Sequence, residues 1–230
     1  MLWYKGWLET RYRLCMALGI TAFFLYTLHS FPPQAKNQIF AVLQNTSAIL
    51  LGMICTMLAG AGIVTQPAFQ RTKGLHGSML FTLTLPVSRL RLLVVRAGLG
   101  WVETAATIGA FCCGIWFASP FLRATATSAQ VLEYGLTTLV CMSAIYFLSV
   151  LLATFLDDTW RTWITLMAFI FFWWFSHRVS LPAYVDIFSA VGKASPLIAH
   201  TIPWSTMAFS AVVSLALFFA AWKVAQAREY

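Results

Sequence analysis

Apolar residues run in long blocks along this chain, and the polar positions fall between those blocks. Six blocks stand out, at 14–31, 39–64, 92–118, 131–156, 163–176 and 204–224. A helix that crosses a bilayer needs about 20 apolar residues, so each block is a candidate span. The pattern therefore predicts an all-α polytopic membrane protein with six transmembrane helices. The fifth block is short, but Trp160 and Trp163 extend it as interfacial anchors. No repeat at a solenoid period and no low-complexity linker divides the chain, so residues 1–230 read as one transmembrane domain.

The segments between the blocks carry their own patterns. Residues 1–13 predict an interfacial helix: Lys5, Glu9 and Arg13 recur at i, i+4 and i+8 as one charged stripe. Leu2, Trp3, Tyr4, Trp7 and Leu8 cover much of the rest, with rings suited to the headgroup zone. The first block follows this basic segment like a signal peptide, yet it has no small-residue cleavage site and ends at Phe31-Pro32-Pro33. It reads as a retained signal anchor. The loop 65–91 contains Gln66-Pro67, a basic turn with Arg71, Lys73 and Gly74, and an apolar run at 79–85. That run is far too short to span, so it must meet a partner, the headgroup zone or the body of the protein. Pro86 stops it, and Ser88 is placed to cap the next helix. The loop 177–203 is too long for a turn and too apolar for a disordered linker. It predicts one or two short re-entrant helices before the sixth span, stopped at Pro182, Pro196 and Pro203.

Composition and charge sharpen this picture. The chain is 60% hydrophobic and 10% charged. Soluble domains carry about 25% charged residues, so lipid is the solvent for most of this surface. The net charge of +8 does not indicate nucleic acid, because the basic residues sit at the ends of apolar blocks. With the N-terminus inside, eleven of the 15 Lys and Arg fall on the cytoplasmic side and four outside. That asymmetry obeys the positive-inside rule and puts both termini in the cytoplasm. The five cysteines lie in apolar blocks without metal-ligand spacing, as small apolar fillers. No Walker A loop, H-E-x-x-H or G-x-S-x-G occurs, and the four histidines are scattered over both sides. The sequence thus points to no catalytic residue, no metal site and no cofactor bound by this chain. Asp157-Asp158 beside Arg161 reads as a solvated charge pair.

Several positions inside the blocks are polar or small, which lipid does not explain. In the second block Gly52, Thr56 and Gly60 form a small-residue stripe, for packing within the chain or against a second copy. Gln44 and Asn45 lie deep in the same block, where they line a wet cavity or hydrogen-bond within the subunit. Glu103 is the only acid deep in the third block; it is a functional charge or a structural partner of Arg96, two turns away. Phe172 and Trp173 belong to an aromatic run that contacts a lipophilic substrate or forms an interfacial belt.

The segment Phe81-Thr82-Leu83-Thr84-Leu85-Pro86-Val87-Ser88-Arg89, the amphipathic N-terminus and the apolar outer loop together resemble the permease subunit of the ABC type-2 exporter family, over essentially the whole chain. The resemblance implies a six-helix permease of the plasma (bacterial inner) membrane that pairs with a second copy as a homodimer. It implies two copies of an ABC ATP-binding subunit, which hold the ATP and Mg. A cytoplasmic coupling helix between helices two and three would dock on that subunit, at His76, Gly77, Ser78, Met79, Leu80, Phe81, Thr82 and Leu83. The second and fifth helices would line the substrate cavity. The substrate class that fits an aromatic, charge-poor bundle is lipophilic or amphipathic. The rival readings are a secondary transporter, which predicts paired intramembrane charges and inverted repeats, and a non-transporting scaffold subunit.

Overall fold

The long apolar blocks become long helices. The computed structural model describes residues 2–30, 36–59, 88–156 and 158–227. Among them the elements are α1 (Leu2–His29), α2 (Lys36–Leu58), α3 (Arg89–Ala118), α4 (Pro120–Thr125), α5 (Ser128–Leu152), α6 (Asp158–Arg178), α7 (Ile187–Val191), α8 (Pro196–Ala199) and α9 (Trp204–Ala227), with no strand. Among the described residues three helices are long and apolar enough to cross a membrane: Leu90–Phe117, Ser128–Leu152 and Trp204–Ala227. α1 and α6, with 28 and 21 residues, reach about 42 and 31 Å, enough in length but less apolar. Within α2 the apolar stretch is Thr46–Leu58.

Helix boundaries follow local chemistry. The Ser88 hydroxyl accepts from the Arg91 backbone N–H at 3.3 Å, capping α3 where the sequence placed the cap. Ser119 ends α3 and caps α4, whose first residue is Pro120. At α5, Thr127 and Gln130 form a reciprocal capping box: the Thr127 hydroxyl accepts from the Gln130 N–H, and the Gln130 side chain accepts from the Thr127 N–H at 2.8 Å.

Four boundaries depart from the sequence reading. α1 runs unbroken from Leu2 to His29, so residues 1–13 are not a separate interfacial helix. No glycine or proline interrupts positions 7–18, and nothing at the junction stops the helical hydrogen bonds. α5 ends at Leu152, four residues early, in a turn where the Thr154 N–H bonds to the Leu151 carbonyl. α6 starts at Asp158 rather than 163 and runs to Arg178. Pro196 begins a short helix rather than stopping one, because a helix's first residue does not need its N–H.

α5 occupies the centre, packed against α9, α3, α2, α6, α7 and α8, while α1 lies mainly along α3. One apolar cluster gathers Leu51, Phe111, Tyr134, Phe169 and Phe188; a second gathers Leu93, Ala97, Tyr146, Val150 and Ala221. The loop 177–203 contributes to the first. Its two short helices bury Ile187, Phe188, Val191 and Leu197 in the bundle, and His200 follows in a left-handed conformation (φ 55°).

Candidate functional site

Buried polar side chains line three successive helix contacts, of α1 with α3, α3 with α5, and α5 with α6. α1 turns a stripe of small residues toward α3: Gly6, Thr10, Ala17 and Thr21 are all buried. A Cβ at Gly6 would lie 3.1 Å from the Leu99 side chain, so glycine permits the close approach. That approach carries Thr10 to Glu103 of α3, and the threonine hydroxyl donates to Glu103 Oε1. Glu103 is 2% exposed, and its Oε2 has no hydrogen-bond partner among the described residues. The expected pairing with Arg96 is therefore replaced by a contact across helices. Arg96 is buried two turns earlier on nearly the same face of α3 and has contacts of its own.

Thr10→Val removes the one hydroxyl that serves this carboxyl and should cost about 1–3 kcal/mol of stability. Thr21→Val, whose hydroxyl bonds only to its own helix at the Ala17 carbonyl, should cost clearly less. Reversible unfolding in detergent compares the two; equal effects would contradict the assignment.

Two further groups complete the cluster. The buried Tyr146 hydroxyl of α5 donates to the Ala97 carbonyl of α3 at 2.6 Å. Gly100 lies against it: a Cβ there would be 2.5 Å from Tyr146 Oη and 2.9 Å from the Leu58 carbonyl, so α2, α3 and α5 converge on this glycine. Arg161 of α6 is fully buried, with Nη1 donating to the Ser149 hydroxyl (3.5 Å) and Nη2 to the Thr162 hydroxyl (3.1 Å). The solvated charge pair read at Asp157-Asp158-Arg161 is thus corrected for its cation. The early start of α6 puts Arg161 in a first turn that faces α5. The signal was present in the spacing, since Arg161, Thr165 and Phe169 recur at i, i+4 and i+8 and all three are buried.

The other candidate residues divide. A Cβ on Gly52 would overlap the Phe169 ring of α6, so this glycine seats a neighbouring helix of the same chain. Thr56 is buried and bonds back to the Met53 carbonyl at 2.8 Å. Ser47, two positions beyond Asn45, accepts from the Tyr134 hydroxyl at 3.2 Å. The side chains of Gln44 and Asn45, together with Gly60 and His76, Gly77, Ser78, Met79, Leu80, Phe81, Thr82 and Leu83, lie outside what the structure describes. The aromatic run splits: Phe172 packs on Phe188 (centroids 5.6 Å apart) and Trp173 on His177 (4.8 Å), while Phe171 and Trp174 are exposed.

Two concavities accompany the polar cluster. An apolar groove of about 480 Å³ runs between α3 and α5, along Ile108, Cys112, Trp116, Val131 and Gly135. A polar cavity of about 210 Å³ lies at the C-terminal end of α6 against α2 and α7. Among the described residues no group of His, Cys, Asp and Glu could hold a metal ion.

The fold defines an all-helical bundle whose three most apolar helices could each cross a membrane. No protein-family model matches the chain, and neither a curated protein nor a solved structure matches it.

Proposed function

We propose that this chain is the membrane-spanning permease subunit of an ATP-driven exporter of the ABC type-2 class, with six spans, both termini cytoplasmic, and a lipophilic or amphipathic substrate. The observation that carries the reading is the layout between the second and third long helices. One short apolar run at 79–85 falls in the segment that the Lys and Arg asymmetry assigns to the cytoplasm, ends at Pro86, and leads into a helix capped at Ser88. A greasy segment too short to span is suited to a partner protein. Support also comes from the six helices of 21 to 30 residues, α1, α2, α3, α5, α6 and α9.

In this reading the chain performs no covalent chemistry. ATP closes a partner ATPase dimer, the segment 76–83 moves with it, and paired permeases exchange inward-open for outward-open states. The ligand that biases the two states differently is ATP against its hydrolysis products. Gentle extraction of the tagged chain should retain an ATP-hydrolysing subunit in equal number and a second permease copy. A stable monomer without ATPase activity would contradict it.

The buried Glu103 and Arg161 favour a second reading, transport driven by an ion gradient, because intramembrane charges mark ion pathways. Vesicles decide between the two. The exporter needs ATP and tolerates collapse of the proton gradient, and the rival shows the reverse.

A further inference from the structure

The cavity at the end of α6 contains an unusual balance of charge. Its polar wall is Ser176 and His177 from α6 and Asp186, Ser189 and Lys193 from the following loop. Asp186 and Lys193 line the same space, yet no salt bridge joins them. Asp186 Oδ1 takes the Ser189 N–H at 3.0 Å, and its other oxygen has no protein partner among the described residues. His177 shares a 2.9 Å hydrogen bond with the Trp173 carbonyl through Nδ1. A carbonyl only accepts, so Nδ1 carries the proton and Nε2 stays available. The remaining wall is Ala48 and the rings of Trp173 and Phe188.

One positive and one negative side chain, held apart around about 210 Å³, complement a molecule bearing both signs a short distance apart. A lone anion or a lone cation would leave one of them uncompensated. The half-buried Trp173 ring can serve as a surface for an ammonium group. At 21 residues α6 is about 31 Å long, close to the hydrocarbon thickness of a bilayer, so in the proposed six-span arrangement its end falls at headgroup level. Arg178 lies 5.9 Å from the Trp174 ring beside the cavity, a basic and aromatic fringe suited to that level.

We infer that this cavity binds a zwitterionic phosphate–amine group of the phosphoethanolamine type, presented as a lipid headgroup. Lys193, His177 and the serine hydroxyls face the phosphate, and Asp186 with the Trp173 ring faces the amine. The inference rests on the proposed reading in that α6 spans the bilayer, and is independent of any ATP-driven role.

Calorimetric titration of the detergent-purified chain tests it with three probes: dihexanoyl phosphatidylethanolamine, dihexanoyl phosphatidylglycerol and soluble O-phosphoethanolamine. The amine lipid should bind saturably, with the glycerol lipid weaker by about tenfold or more. Asp186→Asn keeps the cap of α7, since asparagine caps as well as aspartate. It should weaken the amine lipid by about tenfold and leave the glycerol lipid unchanged, whereas Lys193→Gln should weaken both. Lys193 is exposed, so its variant preserves the test should the Asp186 variant fail to fold. Equal affinity for the two lipids, or wild-type binding in both variants, would overturn the inference. Soluble phosphoethanolamine binding as tightly as its lipid would overturn the lipid source.

Discussion

Gly100→Ala should destabilise the folded chain by about 1–3 kcal/mol, the usual cost of forcing an extra methyl group into a filled core. The added carbon would stand 2.5 Å from Tyr146 Oη and 2.9 Å from the Leu58 carbonyl. Neither neighbour yields easily. Tyr146 is fully buried, its hydroxyl is fixed to the Ala97 carbonyl, and its ring meets Phe147 edge-on at 5.3 Å. The Leu58 carbonyl belongs to the backbone of α2, so relieving that contact means moving the helix. Tyr146→Phe alone should cost about 1 kcal/mol for the lost hydrogen bond. The double variant should be more stable than the sum of the two effects, because phenylalanine removes one of the two clashes. Gly109→Ala is the control: it is exposed with no atom within 4 Å of the new carbon, and helix propensity alone predicts a gain of about 0.5–1 kcal/mol. Unfolding in detergent reads all four, and a Gly100→Ala chain as stable as Gly109→Ala would refute the packing described.

The second large effect is functional. Replacing Met79 and Phe81 together with aspartate should reduce co-extraction of an ATP-hydrolysing subunit to background. Two carboxylates placed in an apolar contact each lose their hydration, at a cost of several kcal/mol per ion. Membrane insertion should be unchanged, since the run 79–85 is too short to be a span. Quantifying the partner by mass spectrometry against membrane-inserted chain separates the two properties. Undiminished co-extraction would remove the coupling role from this segment. Loss of the inserted chain itself would show that these residues belong to the bundle.

How much of this was legible beforehand depends on whether a partner lies near in sequence. Ser88 as a cap, the start of α3 and the short helices at 187–191 and 196–199 depend on signals within a few residues, and the structure contains them. The environment of Glu103 does not. Reading along one helix offered Arg96, whereas the bonded hydroxyl belongs to Thr10, 93 residues away. Only the docking of α1 on α3 through Gly6 brings them together. Two acids precede Arg161, and charge runs usually face water, so the sequence predicts a solvated side chain there. Its burial is set by the rotation of α6 against α5, which adjacent charges do not reveal. The small-residue stripe of α1 was hidden for a related reason. Thr10 and Gly6 sit within a segment whose aromatic and charged residues suggested a surface helix, yet the same helix continues through Ala17 and Thr21 into the core.

The membrane side of the segment preceding Pro86 can be measured directly. Trypsin should cut after Arg71 and Lys73 in inside-out vesicles and leave both bonds intact in sealed right-side-out spheroplasts, as followed by mass spectrometry of the released peptides. Cleavage from the outer face of sealed cells would place that segment on the wrong side for any ATP-supplying partner.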